Sequence, residues 1–243
     1  MDSTFQSRRI TYNEKFSLCT IAAILLIFIL LIFYKSNKSI FTTKLTKNID
    51  GIDYKVISDK DPDKAAKLLD SINYFIYKVI RQLKTERING QNFGRVTYFV
   101  DNLIKRYNPS KLQEGYYIKE GEPGSNGENL PNGEPPDTAY IMDKGSVFVM
   151  CLRDANGKFH DLNILKFVSL HEISHIGSKE EQHETEFWEN FKWLLFYTSK
   201  RGIFSLVDYS KQPVKYCGTL LIDSNPVYDE GIKTKEKVPD WIL

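Results

Sequence analysis

Two histidines separated by three residues constrain this chain more than any other feature. His171 and His175 lie in the run SLHEISHIG, which follows the mostly apolar stretch 162–168. A spacing of four places both imidazoles on one face of an α-helix, about one turn apart. The run therefore predicts a helix that Asp161 caps and that ends near Gly177, with two imidazole nitrogens directed at the same point.

These two histidines and the residue after the first form the pattern H-E-x-x-H. In this pattern the histidines bind zinc and the glutamate acts as a general base. Two imidazole nitrogens can occupy two corners of a zinc tetrahedron, at about 2.0–2.1 Å from the metal. Glu172 can reach the metal's water without being a ligand. We therefore predict one Zn²⁺ ion bound by His171 and His175, with Glu172 as the catalytic residue.

A catalytic zinc site needs a third protein ligand, and His183 is the predicted one. Gly177 is expected to end the helix, SKEEQ then turns the chain, and His183 directly precedes a second helical stretch, residues 184–200. A carboxylate is the alternative, because many H-E-x-x-H sites take one as third ligand. The carboxylate candidates are Glu180, Glu181, Glu184, Glu186 and Glu189.

The segments before this cluster predict an α+β domain. Asp61 as N-cap and Pro62 in the first turn begin a helix whose apolar residues keep helical spacing to about Arg87. A second amphipathic stretch, residues 96–107, ends where Pro109 forbids continuation. Two strand-like runs, 138–142 and 147–152, flank a short turn and predict a hairpin. The fold class is therefore α+β, with a small antiparallel sheet directly before the histidine helix.

Loop and cysteine patterns add two further expectations. Residues 120–137, EGEPGSNGENLPNGEPPD, are rich in Gly, Pro, Asn and Glu and predict a long surface loop. Besides Cys19, the chain has Cys151 and Cys217. One possible pair is no disulfide framework, so two buried free thiols are expected.

An apolar run near the N-terminus predicts a membrane span. The eighteen residues from Phe16 to Phe33 carry no charge and, as a helix, extend about 27 Å. We predict an uncleaved transmembrane helix over residues 16–34. A cleaved signal peptide is the alternative, but the run exceeds a usual h-region and no small-residue cleavage site follows it. Basic residues lie on both sides, so the orientation stays open.

The predicted organisation is one globular domain, which suits a chain of 243 residues. A short N-terminal tail, 1–15, precedes the span, and a Lys-rich stalk, 35–52, follows it. The domain covers 53–228 and a polar tail covers 229–243. A net charge of +2 gives no indication of nucleic-acid binding. The expected partners are a protein or peptide substrate and, through residues 16–34, the lipid bilayer.

Five short segments form a recognisable pattern: Cys151-Leu152-Arg153, His160-Asp161-Leu162-Asn163, His171 to Ile176, His183 with Phe187-Trp188, and Tyr216-Cys217-Gly218. Together they resemble WLM (Wss1/SprT-like) zinc metallopeptidases of large nucleocytoplasmic DNA viruses. The resemblance covers residues 53–225 and is strongest over 138–220. It implies a zincin-like α+β domain of minigluzincin size, a protease activity, and a virion or host-membrane location through the N-terminal span.

The same residues depart from other zincin patterns. In metzincins a glycine and a histidine follow the second histidine by three and six residues, whereas here Gly177 follows His175 by two and His183 by eight. No methionine follows the cluster, so a Met-turn is absent. The loop before His183 is also longer than in the shortest WLM pattern.

The expected reaction is peptide-bond hydrolysis by a zinc-activated water, with Glu172 as base. Tyr209 or Tyr216 could stabilise the oxyanion. The strand 147–152 could pair with an extended substrate, with Arg153 near the cleft. His160 either orients the start of the histidine helix, supports a metal ligand through a hydrogen bond, or is a plain loop histidine, which is the favoured interpretation.

A different class of protein is the alternative. A membrane-anchored viral structural or assembly protein could keep a zinc-binding zincin fold without turnover. Glu172 favours the enzyme, because a purely structural zinc site needs no carboxylate beside the metal's water.

Overall fold

The computed structural model describes residues 20–21, 23–29, 41–45, 51–58, 61–123, 125, 138–179 and 183–228. The chain divides into two compact units, Met1–Ile40 and Phe41–Leu243. Every helix and strand named below lies in the second unit. The predicted tails and most of the predicted 120–137 loop fall outside the described residues.

The predicted transmembrane helix over residues 16–34 is wrong for the part that the structure describes. The helical residues there are 20–21 and 23–29. Among the described residues, no helix combines the length and the apolarity needed to cross a membrane. The predicted single-pass membrane location is overturned by the same finding.

The first two predicted helices are confirmed. Helix α1 is Pro62–Ile88, and helix α2 is Thr97–Arg106, preceded by the 3₁₀ turn Gly94–Val96. The buried apolar face of α1 follows the expected spacing and includes Leu69, Ile72, Ile76, Val79 and Leu83. The predicted capping role of the Asp61 side chain is wrong: its φ is +50° and the side chain makes no capping hydrogen bond. Its backbone carbonyl accepts instead, from Lys64 N at 3.1 Å.

The predicted hairpin is confirmed and belongs to a three-stranded mixed sheet. Strand β3 is Leu112–Gly115, β4 is Ala139–Met142 and β5 is Val147–Cys151. The order is β3-β5-β4, with β3 parallel and β4 antiparallel to β5. Because both sides of β5 are paired, its predicted role in binding a peptide by edge pairing is wrong. Among the described strands, β3 and β4 are the two edges of this sheet.

Two two-stranded hairpins complete the α+β architecture. Strands β1 (Phe41–Leu45) and β2 (Asp53–Ile57) pair antiparallel, and β1 lies within the segment predicted as a stalk. Strands β6 (Val214–Tyr216) and β7 (Leu220–Ile222) form the second hairpin.

The predicted metal-site helix is α3, Leu162–Gly177, and the following helix is α4, Thr185–Lys200. As predicted, Asp161 caps α3, because its carboxylate accepts a hydrogen bond from Asn163 N at 2.7 Å. Helix α3 packs against α1, α2, α4 and β4. A helix enclosed in this way must be apolar almost all round, which explains its sequence.

Gly177 is the last residue of α3, but its role differs from the predicted one, which was to end the helix. Its φ is not positive. A Cβ at this position would lie 2.4 Å from Phe99 Cδ2 and 2.9 Å from the Phe99 carbonyl oxygen. The glycine therefore permits α2 and α3 to approach each other closely.

A buried ion pair joins β3 to the end of β5. Arg153 Nε donates to Glu114 Oε1 at 2.8 Å, and Glu114 Oε2 accepts from Ile57 N at 2.8 Å. The Arg153 guanidinium also lies over the Phe159 ring, 4.0 Å from its centroid. Arg153 is 1% exposed, so its predicted position near the cleft is wrong.

Cys151 and Cys217 form a disulfide, with Cα atoms 5.8 Å apart. The expectation of two free thiols is therefore wrong. The two cysteines are 66 residues apart in sequence and meet because the β6–β7 hairpin lies beside the end of β5. Tyr216 strengthens the junction, since its hydroxyl donates to the Cys151 carbonyl at 2.7 Å.

Reduction of the disulfide should lower the free energy of unfolding by roughly 4 kcal/mol, because a loop of this length gains that much chain entropy when it is released. Urea unfolding of the full chain with and without reductant measures the change. The matched control carries Cys151→Ala with Cys217→Ala and should not respond to reductant. Equal midpoints for the oxidised and reduced wild-type protein would contradict the prediction.

Gly177→Ala should destabilise the fold by about 1–3 kcal/mol, since the added methyl group overlaps Phe99. Thermal or urea unfolding measures this loss. Lys84→Ala, at an exposed position of α1, is the control and should stay near wild-type stability. A Gly177→Ala protein as stable as the control would show that α2 and α3 are not tightly packed here.

Candidate metal centre

Three imidazoles converge beside α3. His171 and His175 project from α3, and His183 lies in the turn before α4. The ring centroids of His171 and His175 are 5.3 Å apart, and His183 lies 4.9 Å from the first ring and 4.8 Å from the second. One nitrogen of each ring lies within 4.8 Å of the other two. The Nε2 atoms of His171 and His183 are 2.9 Å apart.

This donor set fits a zinc ion. Nitrogens at two corners of a zinc tetrahedron are about 3.3 Å apart, which lies between the shortest and longest separations here. Burial lowers the pKa of His171 well below its usual value, and the neighbouring histidines lower it further. Burial also lowers the pKa of His183. Both rings are therefore neutral at pH 7, the form that binds metals.

The carboxylates considered as third ligands do not join this group where the structure describes them. Glu186 Oε1 accepts hydrogen bonds from Lys179 N and Asn190 Nδ2, both at 3.4 Å. Glu189 pairs with Arg95. Glu184 is exposed at the start of α4, and Glu180 and Glu181 lie outside the described residues. The role of His183 as a ligand stays a prediction, which its contact with His171 supports.

An aromatic side chain that the sequence analysis gave no role holds the three imidazoles together. Phe187, in the first turn of α4, is fully buried. Its ring lies 4.9 Å from His171, 4.2 Å from His175 and 4.7 Å from His183. Trp188 stacks on His183 at 5.5 Å. The Phe-Trp pair after His183 was the sequence feature that could have indicated aromatic packing at the site. The sequence alone does not show that one ring contacts all three histidines.

A buried hydrogen bond links the end of α3 to α4, the two helices that flank His183. Asn190 Nδ2 donates to Ser178 Oγ at 2.9 Å, and both residues are buried. This bond joins the second turn of α4 to the residue that follows α3. The sequence contained no signal for it, since both residue types are common on surfaces.

Glu172 shares a cavity with two of the histidines. The cavity has a volume of about 360 Å³, and Glu172, His171 and His183 form part of its lining. The carboxyl is 5% exposed, and burial raises its pKa to about 8. A cation at the three histidines favours the charged form and opposes this shift.

Neither tyrosine considered for the oxyanion presents a donor to the cavity. Tyr216 lines it, but its hydroxyl donates to the Cys151 carbonyl. Tyr209 is 1% exposed and packs against Phe167, with ring centroids 4.9 Å apart. Burial raises the pKa of Tyr209 to about 12 and that of Tyr216 well above its usual value, with the Glu172 charge adding to the second shift.

His160 supports the disulfide junction. Its Nε2 accepts a hydrogen bond from Cys217 N at 3.0 Å, and its ring lies 5.1 Å from that of Tyr216. The interpretation of His160 as a plain loop histidine is therefore wrong.

Two uncharacterised viral proteins are similar to this chain. One, from Acanthamoeba polyphaga mimivirus, is 28% identical over 205 residues, which are 84% of this chain and 94% of the relative. The other, from Invertebrate iridescent virus 6, is 35% identical over 83 residues, which are 32% of this chain and 44% of the relative. No protein-family model matches the chain, and no solved structure matches it significantly. The relatives therefore indicate a viral context and assign no activity.

The full chain should bind one equivalent of zinc. His183→Ala should lower its affinity by more than the roughly 10–100-fold that loss of a supporting residue causes, because one of three nitrogen donors is removed. Competition with a chromophoric chelator measures the affinity. The control His160→Gln changes the remaining histidine and should keep wild-type affinity. Unchanged affinity in His183→Ala would exclude His183 as a ligand.

Proposed function

We propose that the protein is a zinc-dependent peptidase that hydrolyses peptide bonds with Glu172 as general base. The observation that carries this proposal is the cavity that Glu172 shares with His171 and His183. A carboxyl buried beside three converging imidazoles is costly for the fold, since burial opposes its ionised form. A role in proton transfer explains why a glutamate is placed there.

The three histidines and Glu172 have different roles in the proposed hydrolysis. His171, His175 and His183 would hold a zinc ion, which would supply the Lewis acidity that lowers the pKa of a water and polarises a carbonyl. The Glu172 carboxylate accepts one proton from the attacking water, whose oxygen forms the new bond to the carbonyl carbon. Glu172 then donates that proton to the amine nitrogen as the C–N bond breaks.

Aromatic side chains prepare the site for this chemistry. Phe187 keeps the three imidazoles at fixed relative positions, and Trp188 covers His183. His171 and His175 are partly buried and His183 is exposed, so the cluster lies at the border between the core and the solvent.

The sequence resemblance to WLM metallopeptidases supports the same function. Three of its separate segments meet around one cavity: the H-E-x-x-H turn, His183 with its Phe-Trp pair, and Tyr216. A purely structural zinc site is less consistent with this arrangement. Structural sites are closed by four protein ligands, whereas the described cluster has three and borders a cavity.

Glu172→Gln should lower peptide hydrolysis by about 10²–10⁴-fold, since the amide cannot accept the water's proton. Casein or a quenched fluorescent peptide serves as substrate, with zinc content measured in the same samples. Glu184→Gln, at an exposed position, is the matched control and should keep wild-type activity. The proposal fails if the zinc-loaded Glu172→Gln protein cleaves as fast as the wild type.

A further inference from the structure

The cavity beside the histidines extends well beyond the metal centre. Its volume of about 360 Å³ lies in the range of roughly 300–1,000 Å³ typical of ligand pockets. Besides the histidines and Glu172, its lining includes Phe167, Val168 and Phe191 from α3 and α4 and residues 220–222 of strand β7. Among the described lining residues, Glu172 is the one carboxylate and no lysine or arginine is present. The walls therefore suit an uncharged, apolar group.

The hairpin side of the cavity is apolar and open to solvent. Leu220 and Leu221 are 49% and 55% exposed, although both line the cavity. Adjacent exposed leucines at the mouth of a pocket indicate a surface that a ligand covers. Ile222, which is nearly buried, continues the same wall inward.

Three contacts hold this wall in place, so the cavity is preformed. The Cys151–Cys217 disulfide joins β5 to the turn between β6 and β7. Ile118 N donates to the Cys217 carbonyl at 3.3 Å, and the Tyr216 hydroxyl donates to the Cys151 carbonyl. Gly218, with φ of +80°, allows the turn to lie against the Ile118 carbonyl, where a Cβ would approach to 2.1 Å.

We infer that this cavity is a subsite for a bulky apolar side chain of the substrate, next to the scissile bond, and that the β6–β7 hairpin sets this specificity. The inference rests on the proposed peptidase function and names its substrate class: peptides with a leucine- or phenylalanine-sized residue at that position. The position follows from the shared lining, because Glu172 and His171 border the same cavity as Leu221 and Phe191. A preformed apolar pocket loses little free energy to reorganisation when such a side chain enters.

Binding tests the subsite separately from turnover. The probes are ten-residue peptides that are identical except for one central residue, which is Leu, Phe, Gly or Asp. Calorimetric titration uses the zinc-loaded full chain with Glu172→Gln, so that the peptides stay intact. The Leu and Phe peptides should bind about 10- to 100-fold more tightly than the Gly and Asp peptides. Equal affinities for all four peptides would overturn the inference.

Matched variants test the role of the hairpin. Leu221→Asp should lower affinity for the Leu peptide at least about tenfold, because a charge then borders the apolar wall. Leu221 is exposed, so the substitution spares the core. Ile88→Asp, at a 74% exposed position of α1 away from the cavity, should leave affinity unchanged. Equal effects of the two substitutions would overturn the assignment of the wall.

Cleavage of the same peptides by the wild-type protein distinguishes the proposed peptidase function from the proposed apolar subsite. Hydrolysis of the Leu and Phe peptides with kcat/KM about 10- to 100-fold above the Gly and Asp peptides supports both. Equal hydrolysis of all four overturns the subsite alone. Selective binding with no hydrolysis of any peptide overturns the proposed function and leaves the apolar binding site.

Discussion

The burial of α3 is the constraint on which the rest of the structure depends. This helix is covered by three other helices and by β4, so few of its side chains reach solvent. Gly177 lets the helix end lie against Phe99, and Asp161 satisfies its first turn. His171 and Glu172 are then placed where the covering is incomplete, at the cavity. The packing of α3 therefore both builds the core and positions His171 and Glu172 at the cavity.

Local sequence signals predicted the parts of the fold that depend on neighbouring residues. The periodicity of apolar residues predicted α1, α2, α3 and α4, and turn residues at 143–145 predicted the β4–β5 hairpin. The spacing of His171, Glu172 and His175 follows directly from helix geometry. His183 could be proposed because it lies just before α4, although its contact with His171 depends on how the two helices pack.

The features that sequence could not predict all join distant residues. The Cys151–Cys217 disulfide and the Arg153–Glu114 pair span 66 and 39 residues, and the Asn190–Ser178 bond spans 12. The order of strands in the sheet also depends on distant residues. Because β3 pairs with β5, the strand that was predicted to bind substrate at an edge is the central one. The predicted membrane span is corrected on a different observation, since no helix among the described residues is long and apolar enough to cross a bilayer.

X-ray absorption at the zinc K-edge of the zinc-loaded full chain tests the central claim most directly, namely that the three histidines form one metal centre. The account predicts three imidazole nitrogens at about 2.0–2.1 Å, with the outer-shell scattering of three rings and one further light-atom ligand. Two imidazoles or fewer, or a sulfur at about 2.3 Å, would contradict the assignment of His171, His175 and His183 to a single zinc ion.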